Sequence, residues 1–124
     1  VTGTETWLVC GGRDFTDQAQ LEQCLDNYVT LLGIPDKLIH GAARGADTLA
    51  GSWAISRGID YAAVPADWKK YGFKAGLIRN QVMLDLYPVT RVIAFPGGTG
   101  TAHMIRITTA AGLPVHQPLK DVVG

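Results

Sequence analysis

Apolar positions along this chain fall into two patterns that alternate: short blocks of strand length, and stripes with helical spacing. Residues 6–10 form the first block, and Leu21, Cys24, Leu25, Tyr28 and Leu32 then recur at three- and four-residue intervals until Gly33. That pattern predicts a strand followed by an amphipathic helix. Residues 37–40 read as a second strand, and Ala46, Leu49, Ala50, Trp53 and Ala54 as the stripe of a second helix closed by Gly58. A third strand is expected over 61–64, ending at Pro65. Residues 66–72 are polar and aromatic with no clear period, and 73–87 look helical until Pro88. A fourth strand over 91–95 leads into a glycine-rich turn and a helix from Ala102 to Ala111. Gly112 suits its C-cap, and residues 114–116 make a short last strand.

Strands that alternate with helices imply right-handed crossovers and a parallel sheet covered on both faces. With no internal repeat, linker or low-complexity tract in 124 residues, the expectation is one Rossmann-like three-layer α/β domain over 1–124, its mainly parallel sheet having about five strands.

In such a sheet every strand-to-helix turn lies at the carboxyl edge, where ligands of open α/β folds bind. Three of the turns are rich in glycine: Gly11-Gly12-Arg13-Asp14, then Gly41 to Gly45 with Arg44 and Asp47, then Pro96-Gly97-Gly98-Thr99-Gly100-Thr101. Glycines leave backbone N–H groups uncovered and a helix start adds partial positive charge, so these turns suit a phosphate. One such turn is explained by chain geometry alone. Three on one edge, two of them with an arginine, point to an anionic ligand. Asp17 and Asp47 read as helix N-caps rather than catalytic groups. Thr99 and Thr101 are candidates to cap the last helix, to donate to phosphate, or both.

Composition narrows the ligand. The 47% hydrophobic and 18% charged content is that of an ordinary globular protein, and formal net charge is zero. No global field therefore draws nucleic acid or an anionic membrane, and any anion site is local. No apolar run reaches membrane-spanning length and the first residues lack a signal-peptide pattern, which predicts a cytoplasmic location without membrane partners. Cys10 and Cys24 have no framework or metal spacing and read as reduced core thiols. His40, His103 and His116 are scattered, so no metal is expected, and no cofactor is called for. His40 is placed beside a glycine turn and His103 in the first turn after the last one. The turns lack the Gly-Lys-Ser/Thr end of a P-loop and the G-x-G-x-x-G of a dinucleotide dehydrogenase, and Ser52 and Ser56 sit in no nucleophile elbow.

The stretch Ala66-Asp67-Trp68-Lys69-Lys70-Tyr71-Gly72-Phe73-Lys74 interleaves aromatics with cations, and Arg79-Asn80 follow. Aromatic faces stack on bases while cations meet phosphates. The stretch reads as the base wall of a nucleotide pocket, as a strip for single-stranded nucleic acid, or as a solvated loop with Trp68 and Phe73 tucked onto the core. Neutral net charge disfavours the nucleic-acid strip.

Taken in order, Gly11-Gly12-Arg13-Asp14-Phe15, His40-Gly41-Ala42-Ala43-Arg44-Gly45-Ala46-Asp47, Ala66-Asp67-Trp68, Arg79-Asn80 and Pro96-Gly97-Gly98-Thr99-Gly100-Thr101 resemble the SLOG superfamily. Within it, the chain looks like the small YspA-type, YAcAr-related SLOG proteins of bacteria and their phages. The resemblance implies a Rossmann-like fold whose glycine turns bind nucleotides or nucleotide-derived signals, and a homo-oligomer. Relatives include LOG phosphoribohydrolases, which cleave the base from a nucleoside 5′-monophosphate, DprA proteins that bind single-stranded DNA, and sensors of cyclic ADP-ribose-like molecules. LOG-type enzymes carry PGGxGTxxE and an upstream arginine. Here Pro96 to Thr101 match and Arg79, with Met83, resembles that arginine, whereas Met104 occupies the glutamate position. A thioether cannot orient water or steady an oxocarbenium-like centre.

The leading expectation is a nucleotide-binding module. Its ligand residues are Gly11, Gly12, Arg13, Asp14, Gly41, Arg44, Gly45, Asp47, Trp68, Tyr71, Arg79, Asn80 and the segment Pro96, Gly97, Gly98, Thr99, Gly100 and Thr101. An N-glycosidase with Arg79, Asp14 or His103 as catalytic candidates is the alternative, and single-stranded DNA binding a further one. The apolar face of the last helix and an edge over 89–95 are the expected self-association surface.

Overall fold

The computed structural model describes residues 4–120; residues 1–3 and 121–124, the ends of the expected 1–124 domain, lie outside the described residues. The elements are β1 (Thr6–Cys10), α1 (Gln18–Leu32), β2 (Lys37–His40), α2 (Ala46–Ser56), β3 (Asp60–Ala63), α3 (Trp68–Tyr71), α4 (Ala75–Leu86), β4 (Arg91–Ala94), α5 (Thr99–Ala110) and β5 (Val115–His116), with a 3-10 turn (Gly72–Lys74) before α4. All four strand pairings are parallel and the order is β3-β2-β1-β4-β5. This is a Rossmann-like α/β domain. The chain builds outward from β1 to β3, then returns across the sheet to set β4 on the other side of β1. That reversal opens a crevice at the carboxyl ends of β1 and β4.

Alternation along the strands sorts the core into two layers. Trp7 and Val9 of β1, Leu38 of β2 and Ile93 of β4 meet Leu21 and Leu25 of α1 and Ala50 and Trp53 of α2. Leu8 and Cys10, Ile39 and Val92 point the other way, onto Met83 of α4 and Met104 of α5. Trp7 and Trp53 stack with ring centroids 6.3 Å apart. Their indole N–H groups donate to Glu5 at 3.0 Å and to Asp26 at 2.8 Å, so neither large ring buries an unpaired donor. Asp26 also receives Arg57, which ties α1 to α2.

Several expectations change. Helix α5 begins at Thr99, three residues before Ala102, and its N-cap Gly98 has no side-chain capping bond, so neither Thr99 nor Thr101 caps it. The aperiodic stretch after Pro65 contains a short helix whose N-cap is Asp67. Phe73 is 88% exposed and Trp68 is 48% exposed, so they are not tucked onto the core. The 89–95 stretch is not an edge: β4 lies between β1 and β5, and Val89, Val92, Ile93 and Phe95 are buried within the protomer. On α5, Met104 and Thr108 are likewise buried. The expected N-cap role holds for Asp17, which accepts from the Gln20 N–H at 3.0 Å, but not for Asp47. Cys10 is buried and Cys24 half-buried, both as free thiols. Among the described residues no helix is long and apolar enough to cross a membrane.

Candidate functional site

The three glycine turns are joined by main chain. Gly12 N–H donates to the Pro96 carbonyl at 2.9 Å, and the Gly12 carbonyl accepts from Ala46 N–H at 3.1 Å. Side chains would not fit between them. A Cβ on Gly11 would lie 2.6 Å from the Cβ of Ala46, and one on Gly12 would lie 2.9 Å from the Pro96 carbonyl oxygen. Gly45, at φ +82°, packs against the carbonyls of Gly12 and Arg13. These glycines are required by close approach of backbone to backbone. Gly98 and Gly100 differ: nothing lies within 4 Å of where their Cβ atoms would be.

The β2–α2 turn is wired inward. Asp47, in the first turn of α2, accepts from Gly41 N–H at 3.1 Å and Ala43 N–H at 3.3 Å, while His40 Nδ1 accepts from Ala42 N–H at 3.0 Å. Asp47 therefore organises the turn instead of capping α2. It also means that this turn's first amides are already partnered, and its offer to an anion is its arginine. Burial pushes the Asp47 carboxyl up to about 6; the Ala43 and Gly41 N–H groups, Arg79 and Arg13 pull the other way. Burial likewise raises the neighbouring Cys10 thiol to about 12, with Asp47 adding to it.

The α4 pair Arg79-Asn80 spans the turns. Arg79 Nη1 donates to the Gly41 carbonyl and, at 3.3 Å, to that of Val64, and Arg79 Nε donates to Asn80 Oδ1 at 3.1 Å. Asn80 Nδ2 in turn reaches the Gly100 carbonyl at 3.1 Å and His103 Nδ1 at 3.2 Å. Burial lowers the Arg79 pKa, Asp47 opposes that, and the nearby Arg13 reinforces it. The His103 pKa is lowered by partial burial and by Arg106.

Above these groups lies a hollow of about 410 Å³. Gly11, Gly12, Arg13, Asp14, Gly41, Asp47, Trp68, Arg79, Asn80, Gly98, Thr99, Gly100 and Thr101 all line it. Arg44 lines an adjoining hollow together with Arg13, Gly41, Trp68 and Arg79. Gly45, Tyr71, Pro96 and Gly97 line neither of these two, and His103 touches the site only through Asn80. Tyr71 instead carries Lys70 over its ring. Arg13 lies over Trp68, 5.3 Å from the ring centroid. Gly76 and Leu77, outside the expected ligand residues, also line the first hollow, as does Phe73, which the expected base wall spanned without being named a ligand residue. The signal for Phe73 was the aromatic and basic stretch itself; its address depended on the 3-10 turn that carries it. Met104, at the family glutamate position, is fully buried in the core and does not line the hollow.

The first turn of α5 supplies the electrostatics. An uncapped helix start leaves N–H groups without intrahelical partners and carries partial positive charge. Here Gly98, Thr99, Gly100 and Thr101 line the hollow that Gly12 and Arg79 also line. Trp68, Phe73 and Leu77 give the same hollow an apolar wall.

The chain is similar to the Gene 61 protein of Mycobacterium phage D29, 34% identical over an alignment 115 residues long that covers 87% of this chain and 91% of the relative. A family model described as the YspA, cpYpsA-related SLOG family matches residues 8–71, from β1 through the first two glycine turns to the end of α3. On these two matches, the chain belongs to the YspA, cpYpsA-related SLOG family.

Proposed function

We propose that the chain binds a nucleotide or nucleotide-derived ligand in the first hollow, with a phosphate at the start of α5 and the base against Trp68 and Phe73. One observation carries the reading: the uncapped first turn of a twelve-residue helix opens on a hollow that also holds Arg13 and Arg79. Anions settle at such helix starts because unpaired N–H groups and the helix dipole act together. The apolar side of the hollow supplies the flat contact that a base stacks on.

Calorimetry against mono-, di- and cyclic nucleotides tests this, with Gly100→Val as the variant. Gly100 lies in the helical backbone of α5 and its Cβ position is unobstructed, so valine is accommodated by the fold while crowding the hollow that Gly100 lines. The expected outcome is nucleotide binding by the parent chain and its loss in Gly100→Val without a fall in melting temperature. Absence of binding by the parent, or undiminished binding by the variant, refutes the reading.

A second reading, cleavage of an N-glycosidic bond, is favoured by the two carboxylates that line the same hollow, Asp14 and Asp47. It predicts release of free adenine from AMP, abolished by Asp14→Asn or Arg79→Ala. Binding without turnover rejects it.

A further inference from the structure

Beside the first hollow lies a second, also of about 410 Å³, and the two share Arg13, Gly41, Ala43, Trp68 and Arg79. Its own wall is Ala42, Arg44, Pro65 and Ala66. The charge around it is one-sided. Arg13, Arg44 and Arg79 line it, and among the described residues no aspartate or glutamate does, whereas the first hollow is lined by Asp14 and Asp47.

We propose that the second hollow is an anion subsite, and that the ligand is a nucleotide with a second phosphoryl group in addition to the one at α5. The inference rests on the nucleotide reading above and sharpens it to a ligand class. Three arginines lining a space that no described carboxylate lines supply the donors and charge with which guanidinium groups hold phosphate oxygens.

The arginines differ in readiness. Arg79 is fixed by the Gly41 and Val64 carbonyls and borders both hollows, so it meets a ligand spanning them without moving. Arg13 stands over Trp68 at the boundary. Arg44 is paired with Asp14 at 3.3 Å, but their side chains are 74% and 96% exposed. So exposed a pair is weak, and a phosphate, with more charge and more acceptor oxygens, displaces it. Ala42, at φ +60°, is the single non-glycine residue in the left-handed region among those described. It lies in the wall of this hollow, where backbone strain is concentrated at sites that hold ligands.

The test measures binding of AMP, ADP and adenosine 3′,5′-bisphosphate by calorimetry to the parent chain, Arg44→Ala and Asp14→Asn. A second phosphoryl group on the arginines adds at least about tenfold in affinity over AMP, the equivalent of one charge-assisted hydrogen bond. ADP against the bisphosphate reports whether that group is adjacent to the first or remote from it. In Arg44→Ala the advantage over AMP shrinks to within about threefold, well short of the one-bond tenfold. In Asp14→Asn, which frees Arg44 from its competitor, the advantage grows, a gain that a folding defect cannot produce. Equal affinity of the parent for all three nucleotides, or an advantage that survives Arg44→Ala, overturns the second subsite and leaves the first intact. Failure of all three to bind overturns both readings.

Discussion

Asp47 is a carboxylate that the fold keeps out of water, and replacing it by asparagine has a calculable effect. The residue is 6% exposed, and burial lifts its pKa from an ordinary 3.8 to about 6. The folded state therefore holds the Asp47 proton more tightly than the unfolded chain does. Below about pH 3, under both pKa values, the group is neutral in both states and contributes nothing to pH dependence. As pH rises from about 4 to about 6, the unfolded chain ionises first and stability falls; above about 6 the loss is complete and constant. Two pH units at about 1.4 kcal/mol each make the ceiling on the order of 3 kcal/mol.

Asparagine keeps an oxygen to accept from Gly41 and Ala43 N–H and removes the charge. The variant should match the parent at about pH 3 and exceed it by up to about 3 kcal/mol at about pH 7, a figure that already contains the attraction of Arg79 for the ionised carboxylate. Glu5 and Asp26, whose pKa values are lowered chiefly by hydrogen bonds from Arg91 and Arg57, give the opposite slope, with stability gained as pH rises. That slope is common to both proteins and cancels in the difference. Urea unfolding followed by fluorescence of the buried Trp7 and Trp53, repeated across the pH range, measures it. A difference that is flat with pH, or a variant less stable than the parent at about pH 7, refutes the reasoning.

Other outcomes follow from close packing and burial. Gly11→Ala forces a methyl against Ala46 and Phe95 and should cost about 1–3 kcal/mol, read from the urea midpoint. Arg79→Met leaves the Gly41 and Val64 carbonyls without their side-chain donor and should lower stability by about 2–3 kcal/mol, visible as a fall in melting temperature. Alkylation followed by mass spectrometry should modify the half-buried Cys24 well before Cys10, whose thiolate is suppressed by burial at a pKa of about 12; equal rates would show that Cys10 is reachable. Leu25→Ala, in the fully buried contact between α1 and the sheet, should cost about 2–5 kcal/mol by the same unfolding assay.

Strand positions were legible because burial leaves a local record. The stretches 6–10 and 37–40 coincide with β1 and β2, since each is a short apolar block bounded by turn residues. The start of α5 was less legible. Gly100 is a poor helix former, yet the first turn of a helix needs no i−4 partners, so this propensity penalty falls where tertiary contacts decide. The role of Asp47 was hidden for another reason. A cap and a carboxylate that folds back on the preceding turn look alike in sequence, and only the path of Gly41 to Ala43 separates them. Likewise Tyr71 and Phe73 stand two residues apart with similar chemistry, and it is the turn at Gly72–Lys74 that sends Phe73 to the hollow while Tyr71 stays outside it.

The inner joints between the three turns are main chain, with Gly12 holding Pro96 on one side and Ala46 on the other. Such joints are indifferent to which side chains surround them, provided the glycines remain. The cradle and its contents can thus diverge separately: Arg44, Phe73 or Leu77 can be exchanged over generations without disturbing the frame that presents the start of α5. A change at the rim therefore alters what the hollow touches and leaves the joints as they are.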